Sequence, residues 1–466
     1  MTATTGTPEL KAPDLSALTA VLPPGTVAVD ATSLRQAATD TSGWTDGTGP
    51  AAVVRPGTVE EVQRVLAFAD AHRVPVVPRG AGSGLAGGAS GTAGSIVLST
   101  DRLSRIVELS PADGVAVVEP GVITADLDAA ARRHGLFYPP DPASHRISTI
   151  GGNIATNAGG LRCVKYGVTR ESVLALDVVL PGGRLLRTGH RSIKGVAGLD
   201  LTSLFVGSEG TLGVVVGATL RLRPVPAAEA TLVGLFPDVA SAAAGVAALG
   251  TAPVAPSVCE LLGETVVASL RKRSPLPVLR AGEVLLLVQT DGHGAHAEAR
   301  AVADVLRAAG GTVQVAADAA EAETLLELRR TWGLDPDRRR LIGEDIAVPR
   351  SALVAIVTAV RDIAARHGLG HSLAAHAGDG NLHPSFDVVG PDPRGEEELQ
   401  RVALAAADEL VATTLRLGGT VTGEHGIGTA KQRWLTDELG ADAVALHHEL
   451  KAVFDPHGIL NPGKGY

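Results

Sequence analysis

Between two short apolar runs, "VPVVP" (Val74–Pro78) and "SIVLST" (Ser95–Thr100), lies a stretch that is nearly all small residues, beginning "GAGSGLAGG" at Gly80–Gly88. Gly82, Gly84 and Gly87 make a literal G-x-G-x-x-G, and Asp101 stands nineteen residues beyond Gly82, the outline of a dinucleotide fingerprint. That fingerprint works only if its glycines open a helix whose N-terminus receives the pyrophosphate. Here the following residues, Leu85–Ser95, contain four glycines, each costing about 1 kcal/mol inside a helix. The chain therefore has to join two strands without a helix. What remains is a loop of bare peptide N–H groups, which can cradle an anion by itself.

The chain has 466 residues, too many for one ordinary core, so two or more domains are expected. A net charge of −9 argues against a nucleic-acid partner. The longest apolar runs are too short for a membrane span, and the N-terminus shows no basic region followed by an apolar core. Two cysteines, Cys163 and Cys259, cannot form a disulfide framework, so a reducing compartment is expected: the cytoplasm, with peripheral membrane association left open. The 56 glycines and 28 prolines are spread among periodic segments, the pattern of many tight loops near a ligand.

Along the chain, "AAVVRPG" reads as a strand and Thr58 with Glu61 as a capping box. Val62, Val65, Leu66 and Ala69 form the buried face of the helix that follows. After the glycine loop come short strands and a helix near Thr124–His134. The stretch from Leu136 to Gly167 holds too much Gly and Pro for regular structure and reads as a long functional loop. Strands return in "LALDVVLPGG" and "GVVVGATLRLRP". From about residue 226 to 415, Ala-rich helices alternate with strands such as "VLLLVQ", which reads as a second α+β domain. The boundaries expected are 1–225, 226–415 and a last segment, 416–466, returning to the first domain.

Chemistry concentrates in short motifs. "HAGDGNLHP" sets His376 and His383 around a glycine turn, either two unrelated loop histidines or a metal pair. "GEHGIG" adds Glu424 as a third ligand and His425 as a neighbouring base; a surface acid beside a packed imidazole is the alternative. "GSEGTLGVV" alone signals a tight turn. "STIGGNIATNAGG" has more donors and bare backbone than an ordinary surface loop.

Taken together and in order, "VVPRGAGSGLAGGA", "YPPDPASHRISTIGGNIATNAGG", "VKYG", "GSEGTLGVV", "HAGDGNLHP", "GEHGIG", "FDP" and "NPGK" resemble the FAD-linked oxidases of the vanillyl-alcohol oxidase superfamily. The branch is that of the D-lactate, glycolate and D-2-hydroxyglutarate dehydrogenases, and the likeness runs from about residue 40 to 466. It implies an α+β chain: a two-part FAD-binding domain of the vanillyl-alcohol oxidase type, plus a substrate (cap) domain with an antiparallel sheet covered by helices. It implies that Pro78, Arg79, Gly80, Ala81, Gly82 and Ser83, then Gly84, Leu85, Gly87, Gly88 and Ala89, line the FAD diphosphate. Pro120, Gly121, Pro140, Asp141, Pro142 and Ser144 would follow the cofactor. So would Thr149, Gly151, Gly152, Asn153, Ala155 and Thr156, and then Gly159, Gly160, Tyr166 and Gly167. Glu209, Gly210, Gly213, Val214, Val215 and Asn461 would complete the site.

The resemblance also assigns His376, His383 and Glu424 to a divalent metal, zinc first with manganese or iron as alternatives. Asn381 would be a substrate-side amide and His425 the base. Arg329 would bind the substrate carboxylate, although Leu326 stands where the family usually has Trp. Lys431 and Lys464 would assist electrostatically at the flavin. With Ser83 and no histidine in the first loop, FAD is expected to be dissociable. The implied reaction oxidises a small 2-hydroxy acid to the 2-keto acid. "LIGEDIAVP" offers Glu344 and Asp345 and no Lys for a distal carboxylate, which favours glycolate or D-lactate over D-2-hydroxyglutarate. A quinone, a cytochrome, an electron-transferring flavoprotein or oxygen would each suit as electron acceptor, and a homodimer stays open. The rival classes are a metal-dependent hydrolase, for which a colourless protein would speak, and a non-catalytic flavin-binding subunit.

Overall fold

A computed structural model describes residues 13–273, 282–330 and 338–466. The first sheet has the spatial order Val27–Ala28, Ala52–Val54, Ile96–Ser99, Val76–Arg79, with its last three strands parallel. The crossover from Ala52–Val54 to Val76–Arg79, the two strands that flank Ile96–Ser99, is the helix Val59–His72. Thr58 caps it by accepting from the Glu61 N–H, and the Glu61 carboxylate reaches back to the N–H of Gly57 at 2.7 Å. The crossover between the Val76–Arg79 and Ile96–Ser99 strands contains no helix. The glycine loop makes that connection alone, and this is the geometric fact that separates the fold from a nicotinamide domain.

A second sheet, wholly antiparallel, runs Ile106–Ser110, Val115–Val118, Val214–Arg221, Val173–Val179, Leu185–Gly189. The helix Thr124–Arg132 packs its Leu127 and Ala131 into this unit. One expectation is corrected here. The stretch Leu136–Gly167 is not wholly irregular, for Ile150–Thr156 is a helix capped by Thr149. Its glycines allow it to lie directly on a neighbouring loop, since a Cβ at Gly151 would fall 2.6 Å from Pro120 Cβ. Tertiary contact here decides what local propensity disfavours.

Beyond Pro224 the strands form one eight-stranded antiparallel sheet, ordered Thr312–Val315, Glu229–Phe236, Val284–Asp291, Val258–Leu262, Gly370–His376, Asn381–Val389, Arg338–Gly343, with Ile346–Ala347 also paired to Asn381–Val389. Val239–Leu249, Ala295–Ala308, Leu353–Arg366 and Glu396–Arg416 bury their apolar stripes on one face. Glu264–Arg273 and Ala319–Arg330 cover the other. The architecture is the expected α+β arrangement of a two-part cofactor domain and a helix-covered antiparallel sheet. After the helices Gln432–Leu439 and Ala441–Phe454 the chain returns to the first sheet, where the N–H of Asn461 bonds the Val76 carbonyl at 2.7 Å. Among the described residues no helix is long and apolar enough to cross a membrane.

The close approach at Gly151 sets a test. Gly151→Ala should lower stability by roughly 1–3 kcal/mol through overpacking and loosen the segment it supports. Urea midpoints, followed alongside release of flavin fluorescence, will show whether both effects appear together.

Candidate active site

The glycine loop is shaped from behind. The Arg79 guanidinium donates to the carbonyls of Thr39 at 2.9 Å and Ala89 at 2.8 Å, so this arginine braces the loop rather than projecting a charge from it. Asp40 accepts from the N–H of Ala89, Asn461 Nδ2 donates to the Gly88 carbonyl at 3.0 Å, and the Lys464 ammonium bonds the carbonyls of Gly88 and Ser90. With several of its carbonyls tied down on that side, the loop keeps a wall of small residues toward a groove of about 1260 Å³, measured with its mouth.

Pro78, Gly80, Ala81, Gly82, Ser83 and Gly84 line one side of the groove, continuing through Leu85, Gly88 and Ala89. Pro142, Ser144, Thr149, Gly152, Asn153 and Ala155, with Thr156 and Glu209, line the other. An adjoining recess carries Arg79, Pro120, Gly151, Gly210, Gly213 and the Val214–Val215 pair. Not every expected residue faces these spaces. Gly87 and Gly121 serve the turns behind them, Gly121 through its N–H to Leu103 O at 2.7 Å. Tyr166, followed by Gly167, gives its hydroxyl to Asp291 at 2.7 Å, anchoring its segment to the large sheet instead of the groove. Asn461 spends its amide on Gly88 and Glu209. Pro140 and Asp141 line a separate recess with Arg162 and Arg329, whereas Gly159 and Gly160 border the cavity of His376.

At the far end of the groove stand Glu424 and His425. The strands Gly370–His376 and Asn381–Val389 form a hairpin in which His376 pairs with Asn381 and Ala374 with His383. The two histidines are thus diagonal neighbours on one face, their ring centroids 5.3 Å apart. Their Nε2 atoms lie 3.4 and 3.3 Å from Glu424 Oε1, and the three ligand atoms fall within 4.8 Å of one another. Two imidazoles and a carboxylate converging in this way suit a divalent ion with an open coordination position. Gly159 lets this happen: a Cβ there would come within 2.6 Å of Glu424 Oε2. The His425 ring stacks on His383 at 5.2 Å, and burial holds its imidazole below the ordinary pKa, in the proton-accepting form near neutrality.

Two acids that sequence reasoning did not assign complete the site. Asp345 Oδ2 accepts from Thr422 Oγ1 at 2.7 Å and from the N–H groups of Gly423, Glu424 and His425 at 2.9, 3.0 and 2.9 Å. Burial alone would raise its pKa, but His425, Lys431 and His383 outweigh burial and hold it well below the usual carboxylate range. Asp345, His383 and His425 also have ligand atoms within 4.8 Å, yet Asp345 is already saturated by donors and acts as the anchor of the loop. Glu260, fully buried, accepts from His376 and Arg329. The only signal for either acid was a carboxylate standing inside an apolar run.

Two expected roles are revised, those of Asn381 and Lys431. Asn381 Nδ2 donates to Asp345 Oδ1 at 2.7 Å and to Ile346 O at 3.0 Å, leaving only its carbonyl for a substrate. Lys431 is buried and donates to the carbonyls of Asp345 and Val421, so it supports the loop from beneath and does not reach the groove. Arg329 lies in the recess wall with its side chain paired to Glu260.

Residues 50–189 match the family model of an FAD binding domain, and residues 225–465 match that of the C-terminal domain of FAD linked oxidases. The chain belongs to the FAD-linked oxidase family. It is an FAD-dependent oxidoreductase. Among its relatives is the glycolate oxidase subunit GlcD of Bacillus subtilis, 41% identical over 89% of this chain and 88% of the relative. A D-lactate dehydrogenase of Anaerostipes hadrus is 32% identical over 89% of each. A D-2-hydroxyglutarate dehydrogenase of Stutzerimonas stutzeri is 33% identical over 96% of this chain and 97% of the relative. The solved structure of p-cresol methylhydroxylase superposes with a TM-score of 0.77 at 19% identity, over 96% of this chain and 95% of that one, which speaks for the fold.

Beneath the loop of this FAD-linked oxidase, burial pushes the Glu344 carboxyl up to about 7, despite Lys431 at 3.7 Å. A carboxyl raised above its ordinary 4.5 favours the folded state when protonated, so that contribution is full below pH 4.5 and lost as pH rises through 7. Glu344→Gln removes this titration. Its unfolding free energy from denaturant titration should therefore gain on that of the parent chain as pH goes from 5 to 8, by on the order of 3 kcal/mol; parallel curves would refute the assignment.

Proposed function

We propose that this chain oxidises a small D-2-hydroxy acid of the glycolate or D-lactate class to the corresponding 2-keto acid, with FAD bound non-covalently and a divalent ion at His376, His383 and Glu424. The observation that carries the reading is the position of Glu424, which belongs at once to the ligand cluster and to the lining of the groove, with His425 beside it in that lining. In this division of labour residues 1–225 hold the flavin and 226–415 present the substrate. Residues 416–466 bring Glu424 and His425 between them.

Bound FAD would supply the two-electron acceptor, and an ion held by His376, His383 and Glu424 would supply a Lewis acid. The protein's own part is geometric and protonic. His376, His383 and Glu424 would hold the ion, and His425, its Nε2 3.9 Å from Glu424 Oε1, would take the hydroxyl proton. Arg329 offers its guanidinium to the carboxylate side. The small residues of Gly80–Ala89 admit the diphosphate, and the loop, with Ser83 and no histidine, offers no imidazole for a covalent link to the ring.

Anaerobic addition of glycolate, D-lactate and D-2-hydroxyglutarate, the last because one relative carries that name, should bleach the yellow flavin band with at least one of them. His376→Ala should release the ion and slow bleaching by at least about 100-fold while FAD stays bound. A band unmoved by every acid, or full activity after chelation, would defeat the reading.

A further inference from the structure

Glu260 lies in the strand Val258–Leu262, on the sheet face that Leu262 and Ala374 share with the covering helix Ala319–Arg330. Among those aliphatic side chains it is fully buried. A buried carboxylate must be paired, and its two oxygens take different partners. Oε1 lies 2.8 Å from His376 Nδ1, and Oε2 accepts from Arg329 Nε. The first bond makes Nδ1 the protonated nitrogen of His376, which leaves the Nε2 lone pair directed at the Glu424 side of the cluster. The second fixes the guanidinium of Arg329, itself buried, in the wall of the recess it shares with Asp141 and Arg162.

A buried ion pair stabilises no better than well-packed apolar side chains of similar volume. Packing alone therefore gives no reason for a chain of three polar groups in this layer. We propose that Glu260 is a positioning residue that orients His376 as an Nε2 metal ligand and Arg329 as an anion clamp, so that the ion and the substrate carboxylate are received by one assembled unit. The inference rests on the metal and hydroxy-acid reading above. Glu260 touches neither ion nor substrate; it acts through the two side chains that do.

Metal affinity separates this role from a merely structural one. The flavin-loaded chain is stripped with a chelator and titrated with Zn2+ alone and Mn2+ alone against a competing indicator. Glu260→Gln, which keeps the size and loses one acceptor, should weaken binding of both ions by about 10–100-fold. It should also raise the KM of whichever acid bleaches the parent flavin, with FAD content unchanged. Should that variant yield no folded protein, Glu260→Asp keeps the charge but withdraws it by one carbon, and it must still weaken the ion. Equal ion affinity in the parent and either folded variant overturns this inference and leaves the proposed function standing. A parent chain that takes up neither ion overturns both the metal reading and the role of Glu260.

Discussion

The bond set around one carboxylate oxygen, Asp345 Oδ2, holds the rest of the active site in place. Three successive peptide N–H groups and a threonine hydroxyl converge on it. The backbone of 423–425 is thereby curled, so that Glu424 meets the two histidines and His425 lies flat on His383. One turn further on, the N–H groups of Ile427 and Gly428 are taken by Glu209, which also lines the groove. The motif "GEHGIG" is thus pinned by one acid from the large sheet and by a second from the flavin side. Charge-assisted bonds to backbone N–H groups are strong, and several on one oxygen make a stiff joint. The joint is what lets a ligand set and a cofactor groove, built from distant parts of the chain, meet at one place.

The two sides of the site achieve precision differently. Along the groove small residues create room, and side chains such as Arg79 and Asn461 grip the glycine loop by its carbonyls from outside. On the side of the large sheet a hairpin presents two imidazoles at fixed cross-strand spacing, and the buried Glu260 bonds that of His376. Glycine is therefore concentrated where a bulky group must lie against bare chain. Acids are buried where an imidazole or a loop must be held in one pose.

The sequence showed some of this and hid the rest for physical reasons. The absence of a helix after Gly80 was legible because four glycines in Leu85–Ser95 leave no alternative. The strands and the capped helix at Thr58 were legible because their signals are local. Residue types alone offered His376, His383 and Glu424 as one ligand set and the family resemblance supported it, although nothing in their spacing says that residues forty positions apart converge. The helix Ile150–Thr156 was missed because its glycines are explained only by Pro120, a distant neighbour. The roles of Asp345 and Glu260 were missed because an acid set among apolar residues gives no hint of its partner. Arg79 and Lys431 were read as charges facing a ligand, but their donors are taken by carbonyls. From sequence alone a basic residue that grips the backbone looks the same as one that grips an anion.

The contacts from Asn461 and Lys464 to the glycine loop span 373 and 376 residues of chain. During synthesis the strands around that loop leave the ribosome first, and the residues that close it from behind emerge more than 370 residues later. The loop cannot take its finished shape until residues 461 to 464 have been made. A product that stops short of them, however much of the first sheet it contains, lacks the side chains that brace the loop from behind.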